Sequence, residues 1–240
     1  MALKFLPAAL SADTHAKRRF LTEARAAAAL QHANVCTVHE IGETETGQLF
    51  IAMAFVEGES LRAAIERGPV HAARALDIAR QMAAALQSAH ARGVVHRDVK
   101  PANVMLGADG VVTLVDFGVA KLEGSTLTGS GVTPGTTSYM SPEQVRGEDV
   151  DHRTDLWALG VVLYEMLAGK RPFVGGSDAT IAHAITTREP PPLRTLDARI
   201  PAALEGIVAR ALAKDRGRRF QSTDEMLAAL RHAADEIGDR

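Results

Sequence analysis

Three side chains with chemical potential fall within six positions at the centre of the chain. The stretch "VVHRDVKPANVML" carries Asp98, Lys100 and Asn103, with Pro101 breaking any regular element between them. A carboxylate in such a loop can accept or orient a hydroxyl proton. A lysine two residues on can hold an anionic group, and an amide oxygen can ligate a hard metal ion. Each residue alone reads as part of a polar turn; the string as a whole reads as chemistry. A second carboxylate follows in "VTLVDFGVAK". Asp116 ends a β-rich run, Phe117 can pack inward, and Gly118 permits unusual dihedrals. A carboxylate at a strand end is a good Mg²⁺ ligand. A third segment, "GTTSYMSPEQ", spans Gly135 to Gln144.

Several elements must position these groups. "ALKFL" reads as a short strand. "THAKRRFLTEARAAAAL" is Ala-rich with few breakers and predicts a helix over 14–30. "VCTVHEIGE" and "LFIAMAFV" flank the Gly-containing "TETGQ" and predict a hairpin. From about Glu59 the pattern becomes helical. "ARALDIARQMAAALQSAHARG" places Ile78, Met82, Leu86 and Ala89 at helical spacing and stops at Gly93. "NVML" and "VVTLV" are short strands around the turn "GADG". Leu122 to Pro134 is rich in Gly, Ser and Thr and predicts a mobile loop. "DLWALGVVLYEMLAG" is apolar all round and predicts a buried central helix. "EPPPL" is a loop, and "AALEGIVARALAK" and "TDEMLAALRHAADEI" are the last two helical patterns.

The bulk numbers exclude several classes. At 240 residues, 46% hydrophobic and 23% charged, the chain can bury a core as one large domain or two small lobes. A net charge of −2 removes the polycation character that favours nucleic acid or anionic membranes. Cys36 is the only cysteine, so no internal disulfide and no Cys-based zinc site can form. The apolar run Leu156 to Gly169 contains Glu165 and is too short to span a bilayer. The start "MALKFLPAAL" is a poor secretion signal, because the apolar run is short and Pro7 interrupts it.

"HRDVKPAN", "DFG" and "SPE", in this order and spacing, resemble the signature of protein kinases. The chain is most similar to the bacterial eukaryotic-like (Hanks-type) serine/threonine kinases over essentially its whole length. The resemblance implies an α+β, two-lobed fold. Residues 1–57 would form a truncated β-rich N-lobe with one helix, and 58–240 a larger, mainly helical C-lobe. Asp98 would be the catalytic base and Lys100 would contact the transferring phosphate. Asn103 and Asp116 would hold Mg²⁺, with Mn²⁺ as an alternative ion. "MALKFLP" looks like the family's "VAIK" strand, which makes Lys4 the lysine of the α- and β-phosphates and Glu23 its ion-pair partner. Val56 and Ala54 would lie on the segment that meets adenine, with Met53 as gatekeeper. Ala2 and Met105 would sandwich the ring. Glu143 would pair with Arg219, and Asp155 would anchor the catalytic loop.

The family's two preceding strands and Gly-rich loop have no counterpart before Lys4. "GSGVTPG" (Gly129 to Gly135) follows no strand and is rejected as a phosphate loop. A misassigned start, an expression boundary and a real truncation are all consistent with this. The expected activity is transfer of the ATP γ-phosphoryl group to protein Ser or Thr hydroxyls, with autophosphorylation at Thr126, Thr128 or Thr133 pairing with Arg97. A pseudokinase scaffold is the alternative, and a small-molecule kinase a third reading. Expected partners are ATP and protein substrates, with a homodimer through the activation segment or N-lobe. No nucleic acid and no membrane span are expected. The expected location is the cytoplasm, with any membrane anchor in a C-terminal segment beyond this chain.

Overall fold

Burial decides the strand order of the first sheet. β3 (Leu49–Met53), the most apolar of its strands, takes the centre, with β1 (Ala2–Phe5) and β2 (Val38–Glu43) antiparallel on either side. The register places Lys4 and Ile41 both opposite Ile51, so these three share one face. Helix α1 (Thr14–Ala28) covers that face. Its Phe20 and Ala24 close a small core with Leu6, Leu49 and Ile51. Leu3 and Phe5 point the other way and are half exposed. A computed structural model describes residues 1–6, 14–117 and 136–238, without the side chains of 14–16, 19, 23 and 238. The expected loop from Leu122 to Pro134, with Thr126, Thr128 and Thr133, lies outside the described residues.

The second sheet is formed by β4 (Glu59–Ser60), β5 (Val104–Leu106) and β6 (Val112–Leu114), all antiparallel. The "GADG" turn joins β5 to β6. Around this sheet pack α2 (Leu61–Glu66), α3 (Ala72–His90), α4 (Pro142–Arg146), α5 (Arg153–Ala168), α6 (Asp178–Thr187), α7 (Leu193–Leu196), α8 (Ala202–Ala211) and α9 (Thr223–Gly238). Helix α5 is the axis of the larger core. Every residue from Thr154 to Tyr164 is buried, as expected of a helix apolar on all sides. Trp157 stacks on Phe173 with ring centroids 5.8 Å apart. Helix α3 presents the predicted Ile78, Met82, Leu86 and Ala89 to this core. Helix α4 starts with a complete capping box, Ser141 with Gln144, and Pro142 at its first turn.

The chain passes between the sheets at Gly58. Its φ is 138°, and a Cβ there would lie 2.1 Å from the Leu106 carbonyl oxygen, so only glycine fits. The boundary at 57/58 does not separate the contacts completely. Val35 forms a parallel bridge with Leu114. The Leu114 N–H donates to the Asn34 carbonyl (2.8 Å), and the Cys36 N–H donates to the Leu114 carbonyl (2.9 Å). Ala27, Leu30 and Val35 therefore belong to the larger core. This also explains why β2 starts at Val38, later than the run "VCTVHEIGE" predicts: Val35 and Cys36 spend their backbone on β6. Gln81 of α3 locks the junction, accepting from Asn34 Nδ2 (3.0 Å) and the Val112 N–H (2.8 Å).

Candidate active site

The loop carrying Asp98 hangs on one buried carboxylate. Asp155, in the first turn of α5, is fully buried. It accepts the backbone N–H groups of His96 and Arg97, both at 2.8 Å, and meets His90 Nε2 at 2.8 Å. Gln144 Nε2 donates to the Arg97 carbonyl at 2.9 Å. These bonds hold Arg97 at φ 63°, a conformation that a non-glycine residue adopts only when its surroundings demand it. The His96 ring is buried, and burial drives its pKa below the ordinary value. Its Nε2 faces the Val115 carbonyl (3.3 Å), and its Nδ1 faces the Asp98 N–H (3.3 Å). A carbonyl can only accept and an amide only donate, so the ring is neutral with its proton on Nε2.

Asp98, Lys100 and Asn103 meet as their spacing implied. Lys100 Nζ lies 2.8 Å from Asp98 Oδ2 and 3.3 Å from Thr136 Oγ1. Asn103 Nδ2 donates to the Asp98 carbonyl (2.9 Å) and to Asp98 Oδ2 (3.1 Å). Pro101 opens the short 3₁₀ turn Pro101–Asn103 that turns Asn103 back toward Asp98. Both amide hydrogens point at Asp98, so the Asn103 amide oxygen faces the other way. Asp116 follows β6 at φ 59°. Its Oδ1 pairs with Lys4 Nζ at 2.9 Å, with the two side chains 28% and 41% exposed. A pair this exposed is weak and exchanges partners readily. Phe117 packs on His96 with ring centroids 4.5 Å apart, which ties the Asp116 segment to the Asp98 loop.

A cavity of about 30 Å³ lies behind these groups, among Lys4, Cys36, Ile51, Met53, Asp116 and Phe117. Burial, and then the nearby Asp116 carboxylate, push the Cys36 thiol pKa up, so the thiol stays protonated and inert. Among the proposed adenine contacts, Ala2 and Met53 are register partners at one end of the first sheet. Met105 lies in β5 opposite Thr113 and Ser60. Ala54 directly follows β3. Its N–H donates to the Thr37 carbonyl at 2.8 Å, and its carbonyl receives Cys36 Sγ at 3.5 Å. Among the described residues Lys4 pairs with Asp116; the side chain of Glu23, its expected partner, lies outside them.

The donor set suits a hard divalent cation. It offers the neutral Asn103 amide oxygen and the second oxygen of Asp116, which makes no hydrogen bond among the described residues. Further out, Arg219 and Glu143 form a two-armed ion pair at 2.7 and 2.8 Å, both buried. Burial pushes the Glu143 carboxyl up, but the hydrogen bonds and charge of Arg219 outweigh it and hold the pKa below the usual range. His90 and Gln144 were missed by sequence reading. Nothing local marks them, since their partners lie 65 and 47 residues away.

Known proteins carry the same pattern. The family profile described as "Protein kinase domain" matches residues 1–231. "Serine/threonine-protein kinase PknB" of Mycolicibacterium smegmatis is 40% identical over 237 residues, covering 96% of this chain and 38% of that protein. "Serine/threonine-protein kinase pkn3" of Myxococcus xanthus is 41% identical over 242 residues, covering 96% of this chain and 44% of its own length. "Serine/threonine-protein kinase PknJ" of Mycobacterium bovis is 42% identical, covering 95% and 40%. The chain thus spans about two fifths of the length of the relatives it matches. With a helix-rich body, two small sheets and this match over nearly its whole length, the chain belongs to the protein kinase domain family, in its bacterial serine/threonine branch.

Proposed function

We propose that this domain moves the γ-phosphoryl group of ATP to a serine or threonine hydroxyl of a protein. The observation that supports this most is the placement of Lys100 between Asp98 and Thr136. Asp98, held by Lys100 and Asn103, orients the acceptor hydroxyl and takes its proton as the new P–O bond forms and the bond from the γ-phosphorus to the β–γ bridging oxygen breaks, with ADP leaving. Lys100 stabilises charge on the group in transfer. Lys4 leaves its exposed pair with Asp116 to meet the α- and β-phosphates. The rate advantage is positioning and preset charge, because the acceptor and the phosphates need little covalent help.

Asn103 and Asp116 would hold Mg²⁺, which when bound neutralises charge on the phosphate oxygens. Val56 and Ala54, with Met53 behind them and Ala2 and Met105 on the two faces of the ring, would take the adenine. Among the described residues no helix is long and apolar enough to cross a membrane. The test is transfer of labelled phosphate from ATP with Mg²⁺ to Ser/Thr peptides, beside small metabolites and beside an Asp98→Asn variant. Transfer to peptides that vanishes in the variant, while nucleotide binding persists, supports the reading. Nucleotide binding without transfer to any peptide would sink it and favour the scaffold. Mass spectrometry of the same samples tests autophosphorylation at Thr126, Thr128 and Thr133.

A further inference from the structure

A groove of about 600 Å³ runs away from Lys100 and Thr136 along the larger body, past Tyr139, Glu165, Arg62 and Arg171. Its charges are mostly committed. Arg62 Nε pairs with Glu66 Oε1 at 3.0 Å. Lys100 pairs with Asp98 at 2.8 Å. Glu165 Oε2 accepts the Tyr139 hydroxyl at 2.7 Å. Burial also pushes the Glu165 carboxyl pKa up, which weakens it as a receptor for a cation. Arg171 differs. Its Nη1 donates to Ser138 Oγ at 2.6 Å, and no carboxylate lies within 4.0 Å of it among the described residues. Ser138 is neutral and buried, so it fixes the guanidinium without discharging it. One donor of five is used, and the planar fork that remains suits a carboxylate.

The turn Thr136–Tyr139 links the two ends of this groove. Thr136 touches Lys100, and Ser138 holds Arg171. An extended peptide whose hydroxyl reaches Asp98 would therefore lay a neighbouring side chain by Arg171. A basic side chain there would meet Arg62, Lys100 and Arg171, and the carboxylate within its reach, Glu165, already holds Tyr139 and lies in the field of Arg171 and Arg62. An acidic side chain would meet a cation whose fork is still open.

We infer that Arg171 selects protein substrates carrying an aspartate or glutamate a few residues from the phosphoacceptor. This rests on the kinase reading above and names the substrate class of that same groove. The test uses threonine peptides in which Glu, Gln or Arg is walked through the positions on both sides of the acceptor. The readout is the kcat/KM ratio between peptides for each enzyme form. At one position the Glu peptide should exceed the Gln peptide about tenfold, as for a charge-assisted hydrogen bond. Arg171→Gln, which keeps a donor for Ser138, should bring that ratio near one. Arg171→Glu should invert it toward the Arg peptide. A preference for Arg in the unmodified chain, no charge preference, or a Glu preference that survives Arg171→Gln would overturn the inference. Failure to phosphorylate any peptide, the Gln series included, would overturn the kinase reading and this inference with it.

Discussion

Replacing Asp155 with asparagine tests whether the loop around Asp98 is held by that one carboxylate. The substitution keeps shape and removes charge. One aspartate oxygen serves His96 N–H and His90, and the other serves Arg97 N–H. The best asparagine rotamer keeps its oxygen toward the first pair and turns its NH₂ toward Arg97 N–H. That leaves one buried donor facing another, at a cost of about 1–3 kcal/mol. The two remaining bonds lose their charge assistance, roughly another 1 kcal/mol each. The total is about 3–5 kcal/mol, against a domain stability of about 5–15 kcal/mol. The fold should therefore survive. The damage also falls on Arg97, whose φ of 63° is itself strained by about 1–3 kcal/mol. The loop should relax, and Asp98, the next residue, should move with it. Phosphoryl transfer should drop by roughly 100-fold or more, and any part of the cost the loop cannot shed should lower Tm by about 2–4 °C per kcal/mol. Calorimetry and single-turnover transfer measure the two. A variant within 2 °C of the parent Tm and within threefold of its rate would refute the reasoning.

Asp116→Asn and Asp98→Asn should each cost at least about 100-fold in transfer, but only the first should weaken Mg²⁺-dependent nucleotide binding, which titration calorimetry with and without the ion can read. Arg219→Met strands the Glu143 carboxylate and should cost about 3–5 kcal/mol at neutral pH, measured by urea unfolding. Because the folded pKa of Glu143 lies below its unfolded one, its pairing stabilises above the unfolded pKa and is lost as pH falls through the folded value; the gap between parent and variant should therefore narrow on acidification. Burial lowers the pKa of the Lys214 ammonium to about 8. The unfolded chain then binds more protons from about pH 8 up to the ordinary lysine value, so stability should rise with pH across that window, and Lys214→Met should remove the slope.

Much of the site could be read along the chain because its parts are close in sequence. Asp98, Lys100 and Asn103 converge through one turn that Pro101 starts. The period of Ile78, Met82, Leu86 and Ala89 reports a helix because one face is buried and the other wet. Helix α6 was not anticipated. Its "DATIAHAITT" is rich in β-branched residues, which give a weak helical signal, and the Ser177 N-cap and tertiary packing decide the matter. The two-residue β4 is too short to carry a pattern. Long-range partners are legible only where the family resemblance supplies them, as it does for Glu143 with Arg219 and for Asp155 with the loop at Asp98. That Asp116 meets Lys4, and that His90 and Gln144 support the loop around Asp98, depends on which elements the topology brings side by side.

The crossing between the sheets behaves as a strap. Two segments make the passage, one ending at Thr37 and one starting at Ala54, and a 2.8 Å hydrogen bond fastens them to each other. A ribbon of two bonded strands folds easily across its width and resists shear within its plane. Both segments leave the first sheet at the same end, where Val38, Met53 and Ala2 are register neighbours. Bending of the strap therefore sweeps the far end, at the Thr44–Gln48 turn, through the longest arc. Lys4, two residues from the fixed end, travels a short one. A bend in the strap would thus open the cleft most beside that turn and least beside Lys4.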